Sequence, residues 1–102
     1  MYRARTTNEF VKQARKFLSY SELEQLAKLS KRLENTATLG DIVGPYWIRE
    51  SRIGGKRVYY ITGKTVVVFI HLSTKQNQQQ IIDEIRKRIG EWKQLINYWE
   101  NN

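Results

Sequence analysis

The segment Ile48–Gln80, IRESRIGGKRVYYITGKTVVVFIHLSTKQNQQQ, decides how this chain is read. It reads as three adjacent β-strands separated by glycine turns. Gly54-Gly55 supplies the positive φ of a tight hairpin, which makes Lys56 to Thr62 a strand paired with the one before it. Gly63-Lys64 turns the chain again, into Val66 to Leu72. That continuous β-branched run predicts a central strand covered on both faces. Period two begins at Tyr46, with Tyr46 and Ile48 on one face and Trp47 and Arg49 on the other. The segment carries Arg49, Arg52, Lys56, Arg57, Lys64 and Lys75 against a single carboxylate, Glu50. A small sheet with that many cations, one histidine and several tyrosines suits a grip on a polyanion.

Upstream of the sheet the period changes to helical. Thr6 and Glu9 have capping-box spacing, and Phe10, Val11, Ala14, Phe17 and Leu18 follow as one apolar stripe. Ser21 and Glu24 offer a second box, ahead of Leu23, Leu26, Ala27, Ser30 and Leu33. So short a connection predicts an antiparallel helical hairpin over residues 7 to 35. Asn35 to Gly44 is a connecting loop that Gly44-Pro45 closes. Downstream, Ile81, Ile82, Ile85, Ile89, Trp92, Ile96 and Trp99 set a helix from Asn77 to about Trp99. Gly90 in its interior costs roughly 1 kcal/mol against alanine and marks a break or kink. The expected fold is α+β: an N-terminal α-helical hairpin packed on a small antiparallel β-sheet of three to four strands, with a C-terminal helix. A short first strand at Tyr2 to Arg5 would be the fourth.

The bulk properties narrow the function classes. With 102 residues the chain is a single domain spanning 1–102, too short for a doubly wound nucleotide-binding fold. A net charge of +8, concentrated on the strand segment, points to a nucleic acid or an acidic protein as partner. The chain has no cysteine, which excludes disulfides and thiolate metal sites. The start, Met1-Tyr2-Arg3-Ala4-Arg5, lacks the apolar run of a signal peptide, and no segment approaches transmembrane length. A cytoplasmic protein without membrane contact is expected.

Two strings in this chain match a known pattern. Ile53-Gly54-Gly55-Lys56-Arg57-Val58-Tyr59-Tyr60 resembles the "GxRxxY" strand of the RelE/ParE toxin superfamily. Val66 to Gln79 resembles the following strand and its basic exit, above all in the HigB-like branch, where a histidine precedes a lysine-rich segment. The resemblance extends over nearly the whole chain. It implies the toxin half of a type II toxin–antitoxin module, neutralised by a cognate antitoxin protein. RelE-like and HigB-like members cleave mRNA in the ribosomal A site without a metal or small-molecule cofactor, whereas ParE-like members poison DNA gyrase.

Metal-free RNA cleavage needs a group to take the 2′-hydroxyl proton and cations to hold the charge growing on phosphorus. Arginine suits the second task because its fork meets two phosphate oxygens. Arg57 fills the arginine position of the resemblance and is assigned to the scissile phosphate. Arg49 keeps one of two basic positions on the preceding strand, and Trp47, at the other, is assigned to stacking on a base. Lys56, Arg52 and Tyr59 are expected at the RNA. His71, the only histidine, is the candidate acid or base, with Lys75 just beyond it. The catalytic set is therefore Arg57, His71, Lys75 and Arg49, and no metal is involved. Two departures count against a RelE-like chemistry. Gln76 stands where RelE has an arginine, and Ile81 and Ile82 fall where RelE has a tyrosine. The phosphate grip is kept better than the acid–base pair. A ribosome-dependent endoribonuclease is the first expectation, a non-enzymatic gyrase inhibitor the second, and a degenerate toxin that only binds its antitoxin the third.

Gly63-Lys64-Thr65 imitates the end of a Walker loop, but Val58 replaces its first glycine and a strand follows. Asp83 and Glu84 are neighbouring carboxylates without a second cluster to complete a metal site. Trp92, Tyr98 and Trp99 read as core or as an antitoxin contact.

Overall fold

A computed structural model describes residues 1–102. The elements run β1 (Arg3–Thr6), α1 (Asn8–Phe17), α2 (Tyr20–Asn35), β2 (Asp41–Ile42), β3 (Ile48–Ile53), β4 (Lys56–Thr62), β5 (Val66–Thr74), α3 (Gln78–Lys87) and α4 (Ile89–Glu100). The five strands form one sheet in the order β1-β5-β4-β3-β2. β1 pairs with β5 in parallel, and every other pair is antiparallel. The valine-rich run is β5, buried from Val66 to Ser73. Such burial needs cover on both faces and a paired strand on both edges. α1 and α2 supply one face with Phe10, Ala14, Leu29 and Leu33, which meet Val58, Tyr60, Val67 and Phe69. α3 and α4 supply the other with Ile82, Ile85 and Trp92, which meet Ile48, Tyr59, Ile61, Val66, Val68 and Ile70.

This architecture corrects the expected one. The sheet has five strands and is mixed, because Arg3–Thr6 takes the free edge of β5 in parallel register. The N-terminal helices are not a hairpin laid on the sheet as a unit: α1 packs on β5, and α2 packs on β1 and β3. The reason lies at their junction. Leu18 is extended and buried in the core, so the chain dips towards the sheet between the helices. The C-terminal helix is also two helices. The break is at Arg88, not Gly90, and the Ile85 carbonyl there accepts both the Arg88 amide (3.1 Å) and the Trp92 indole N–H (2.9 Å).

The helix starts differ as well. Thr6 is the last residue of β1, so Thr7 caps α1 and accepts the Phe10 amide at 3.0 Å. The second capping box is Ser19 with Glu22, and Ser21 and Glu24 lie within the helix. Glu22 does more than cap. Its carboxylate also accepts from the Gly55 amide (3.3 Å) and Lys56 (3.4 Å), which ties α2 to the β3–β4 turn. Gly54 is required there: its φ is +56°, and a Cβ would meet Glu22 Oε2 at 2.8 Å.

Candidate active site

Strand alternation alone would put His71 on the face of Val67 and Phe69. A register shift between Tyr59 and Tyr60 changes that. Tyr60 pairs with Phe69 but Tyr59 pairs with His71, so Ile70 is the extra residue of a β-bulge. The bulge turns His71 to the face of Tyr59 and Arg57, beneath α3 and α4. Ser73 pairs with Arg57, and Glu50 of β3 pairs with Tyr59. Glu50, Arg57, Tyr59, His71 and Ser73 thus form one buried polar patch at the end of an otherwise apolar face.

Arg57 is 8% exposed, and its Nε lies 3.7 Å from Glu50 Oε1. That spacing is an ion pair without a hydrogen bond, and Arg57 Nε is buried with no hydrogen-bond partner. Glu50 is the better satisfied member, since the Gln78 side-chain amide donates to both its oxygens, at 3.0 and 2.8 Å. The pair leaves a buried guanidinium whose charge is balanced but whose donors are not all used. That is a suitable seat for a second anion's oxygens.

His71 is also 8% exposed, and its Nδ1 is buried without a partner. Its ring stands perpendicular to Trp92, with centroids 5.9 Å apart at 88°, and the Arg88 guanidinium lies over the same indole at 4.5 Å. Burial pushes the imidazole pKa below its ordinary 6.5, and the Arg88 charge adds to the shift while Glu84 and Glu9 oppose it. His71 is therefore neutral at pH 7, with its Nδ1 buried and unpaired. Tyr59 and Ser73 share a hydrogen bond of 2.8 Å, and burial raises the phenol far above its usual range.

The remaining sequence-predicted residues lie elsewhere. Lys75 is exposed in the turn after β5, two residues beyond Ser73, and Arg52 is exposed across from Arg57. Lys56 is engaged with Glu22. Arg49 points to the opposite face, where its Nη1 donates to the carbonyls of Thr38 (2.8 Å) and Gly40 (3.1 Å). Trp47 sits at the other end of β3, outside the strand, in a turn closed by Ile48 N to Pro45 O. No three His, Cys, Asp or Glu side chains gather where they could hold a metal ion. Trp92 is core, whereas Tyr98 is 56% exposed.

Sequence reasoning missed Glu50, Ser73 and Gln78 as members of the patch. Glu50 was within reach, since a two-residue turn at Gly54-Gly55 sets the register that places it beside Tyr59. Ser73 was hidden by the bulge, and Gln78 by the docking angle of α3.

No family model matches the chain, and no curated protein matches its sequence. Solved structures do match. RelE in the crystal structure of the archaeal RelE–RelB complex from Pyrococcus horikoshii OT3 is 17% identical, with a TM-score of 0.58 over 72% of this chain and 94% of that one. A YafQ mutant from E. coli is 15% identical, with a TM-score of 0.50 over 76% of this chain and 98% of that one. The chain has the fold of RelE-like toxins, in agreement with the resemblance read from its strand motifs.

Proposed function

We propose that this chain is the toxin of a toxin–antitoxin pair and that it cleaves mRNA on translating ribosomes. The observation that carries the reading is the buried polar patch, where a bulge brings an unpaired imidazole nitrogen to the face that holds a partly unsatisfied arginine. Neutral His71 accepts the proton of the ribose 2′-hydroxyl as its oxygen attacks the adjacent phosphorus. The bond from phosphorus to the 5′-oxygen breaks, and the 5′-oxygen takes a proton from solvent. Arg57 holds the phosphate oxygens, and Lys75 adds charge from beyond Ser73. Arg49, on the other sheet face, is outside this set. The RelB bound to the Pyrococcus RelE supports a small protein antitoxin as partner.

A second reading has its own observation. Arg57 and His71 are both 8% exposed beneath α3 and α4, so no phosphate reaches them until those helices shift. A ParE-like inhibitor of DNA gyrase would need no such access. An in vitro translation reaction with purified protein, with mRNA ends read by primer extension, separates the two. The nuclease gives cuts only while ribosomes translate, and Arg57→Ala abolishes them, with circular dichroism separating lost chemistry from the instability of a stranded Glu50. Intact mRNA with normal translation favours gyrase. Cuts by Arg57→Ala equal to those of the unmodified chain would overturn the site.

A further inference from the structure

A separate open cleft of about 680 Å³ lies at the other end of the sheet. Its wall includes Tyr46, Trp47, Arg49, Lys64, Lys93 and Glu100, and none of the polar patch belongs to it. Thr62, also on its wall, is five residues along β4 from Arg57, or about 17 Å at strand rise.

Three features define what the cleft can bind. Tyr46, in the turn closed by the Ile48 amide on the Pro45 carbonyl, is 75% exposed and adjoins Trp47. Lys64 and Lys93 are exposed, and the chain's ion pairs are Lys56–Glu22, Arg57–Glu50 and Arg88–Glu91, so neither lysine has a carboxylate partner. Arg49 Nε is buried without a hydrogen-bond partner. The one carboxylate on the wall, Glu100, is held on Thr65, whose amide and hydroxyl donate to it at 2.9 and 2.7 Å, and its single charge is outnumbered by Lys64, Lys93 and Arg49. An exposed Tyr46 ring and a Trp47 half-buried against the core, beside unpaired ammonium groups in a cavity of small-ligand size, match a nucleotide of an unpaired strand.

We infer that this cleft holds one nucleotide of single-stranded RNA, its base stacked on Tyr46 and Trp47 and its phosphates on Lys64 and Lys93. The inference takes the identity of the strand from the RNA reading above. It adds a second anchor, a few nucleotides from Arg57, that fixes which way the strand crosses the sheet.

A fluorescein-labelled 2′-O-methyl RNA octamer tests it, because the strand has no 2′-hydroxyl to attack and binding is read apart from cleavage. Tyr46→Ala should weaken binding about tenfold through lost stacking. Lys64→Glu with Lys93→Glu should weaken it further and lower the salt slope by about 1.4, for two phosphates. Lys12→Glu with Lys28→Glu, on exposed helix surfaces, makes the same charge change and should cost less than half as much in log Kd. All these side chains are exposed, so the fold is not at issue. Binding unchanged by Tyr46→Ala, or lost equally in the two lysine pairs, overturns the inference. If the translation assay shows no cuts while binding still depends on the cleft, the nuclease falls and the cleft stands.

Discussion

The two faces of the sheet are built on different terms. Under α1 and α2 the packing is largely apolar, with Phe10 stacked on Phe69 at 5.4 Å and Tyr60 edge-on to the same ring at 5.6 Å. Tyr60 brings a hydroxyl to that face, satisfied by Leu39 O at 2.7 Å and Ser51 at 2.6 Å. Under α3 and α4 the packing begins the same way, at Ile61 and Val68, and then gives way to Glu50, Arg57, His71 and Ser73. Two nitrogens on that side, Arg57 Nε and His71 Nδ1, are buried without partners. Unsatisfied buried groups cost about 1–3 kcal/mol each; two of the chain's five lie at the proposed site, and the others are Gln13 Oε1, Arg49 Nε and Trp99 Nε1. One face holds the molecule together, and the other gives up stability for a charged, water-poor pocket.

That contrast is broken most sharply by exchanging what each face depends on. Phe10→Ala should cost about 3–5 kcal/mol in urea denaturation, as for any large core aromatic. Glu50→Ala should cost a similar ~3–5 kcal/mol for a different reason, since it strands the Arg57 charge in the interior. Glu50→Leu combined with Arg57→Met restores an apolar face and should return stability to that of the unmodified chain or above, with toxicity lost. A double variant as unstable as Glu50→Ala would mean the patch is ordinary packing and not a site kept at a cost.

A smaller effect separates the faces by pH. Folding lowers the His71 pKa below 6.5, so the unfolded chain binds that proton more readily. Stability is therefore full above about pH 6.5 and falls as pH drops from there towards the folded pKa. Glu22 and Glu100 do not share this window. Glu22 is held below 4.5 chiefly by the Ser19 amide. At Glu100 burial pulls upward, but the Thr65, Lys64 and Val66 amides prevail. Both carboxylates lose their contribution only below about pH 4.5. The urea midpoint should accordingly drop between about pH 7.5 and about pH 5.5, and His71→Gln should flatten that drop. An unchanged slope in His71→Gln would place the pH sensitivity elsewhere.

How much of this was legible follows the range of the interactions involved. The β3–β4 hairpin and the buried character of β5 are local properties, written in Gly54-Gly55 and in the run from Val66, and the structure has both. The caps were displaced by one and two residues because strand pairing claimed Thr6, and because Glu22 has two further partners on the β3–β4 turn that Glu24 could not reach. The parallel β1, the two-residue β2 and the separate packing of α1 and α2 depend on contacts between distant segments, which periodicity does not encode. The site divides the same way. Arg57 was placed by its motif, but its neighbour on the patch depends on a bulge that a period-two reading of Val66 to Leu72 passes over. The resemblance sets Arg49 and Trp47, on the preceding strand, beside Arg57 at the RNA, but Arg49 lies on the opposite face and Trp47 at the opposite end.

The smallest test concerns the join between the helices that cover the patch. Gly90 looked like the hinge because glycine weakens a helix interior, yet the break falls at Arg88 and Gly90 lies inside α4. A Cβ at Gly90 would meet nothing within 4 Å, and its φ is not positive. Gly90→Ala should therefore stabilise the protein by about 0.5–1 kcal/mol, through a less flexible unfolded chain and a better helix former. It should leave toxicity unchanged if α3 and α4 move about Arg88. A loss of toxicity with that gain in stability would show that bending at Gly90 itself is what opens the covered face.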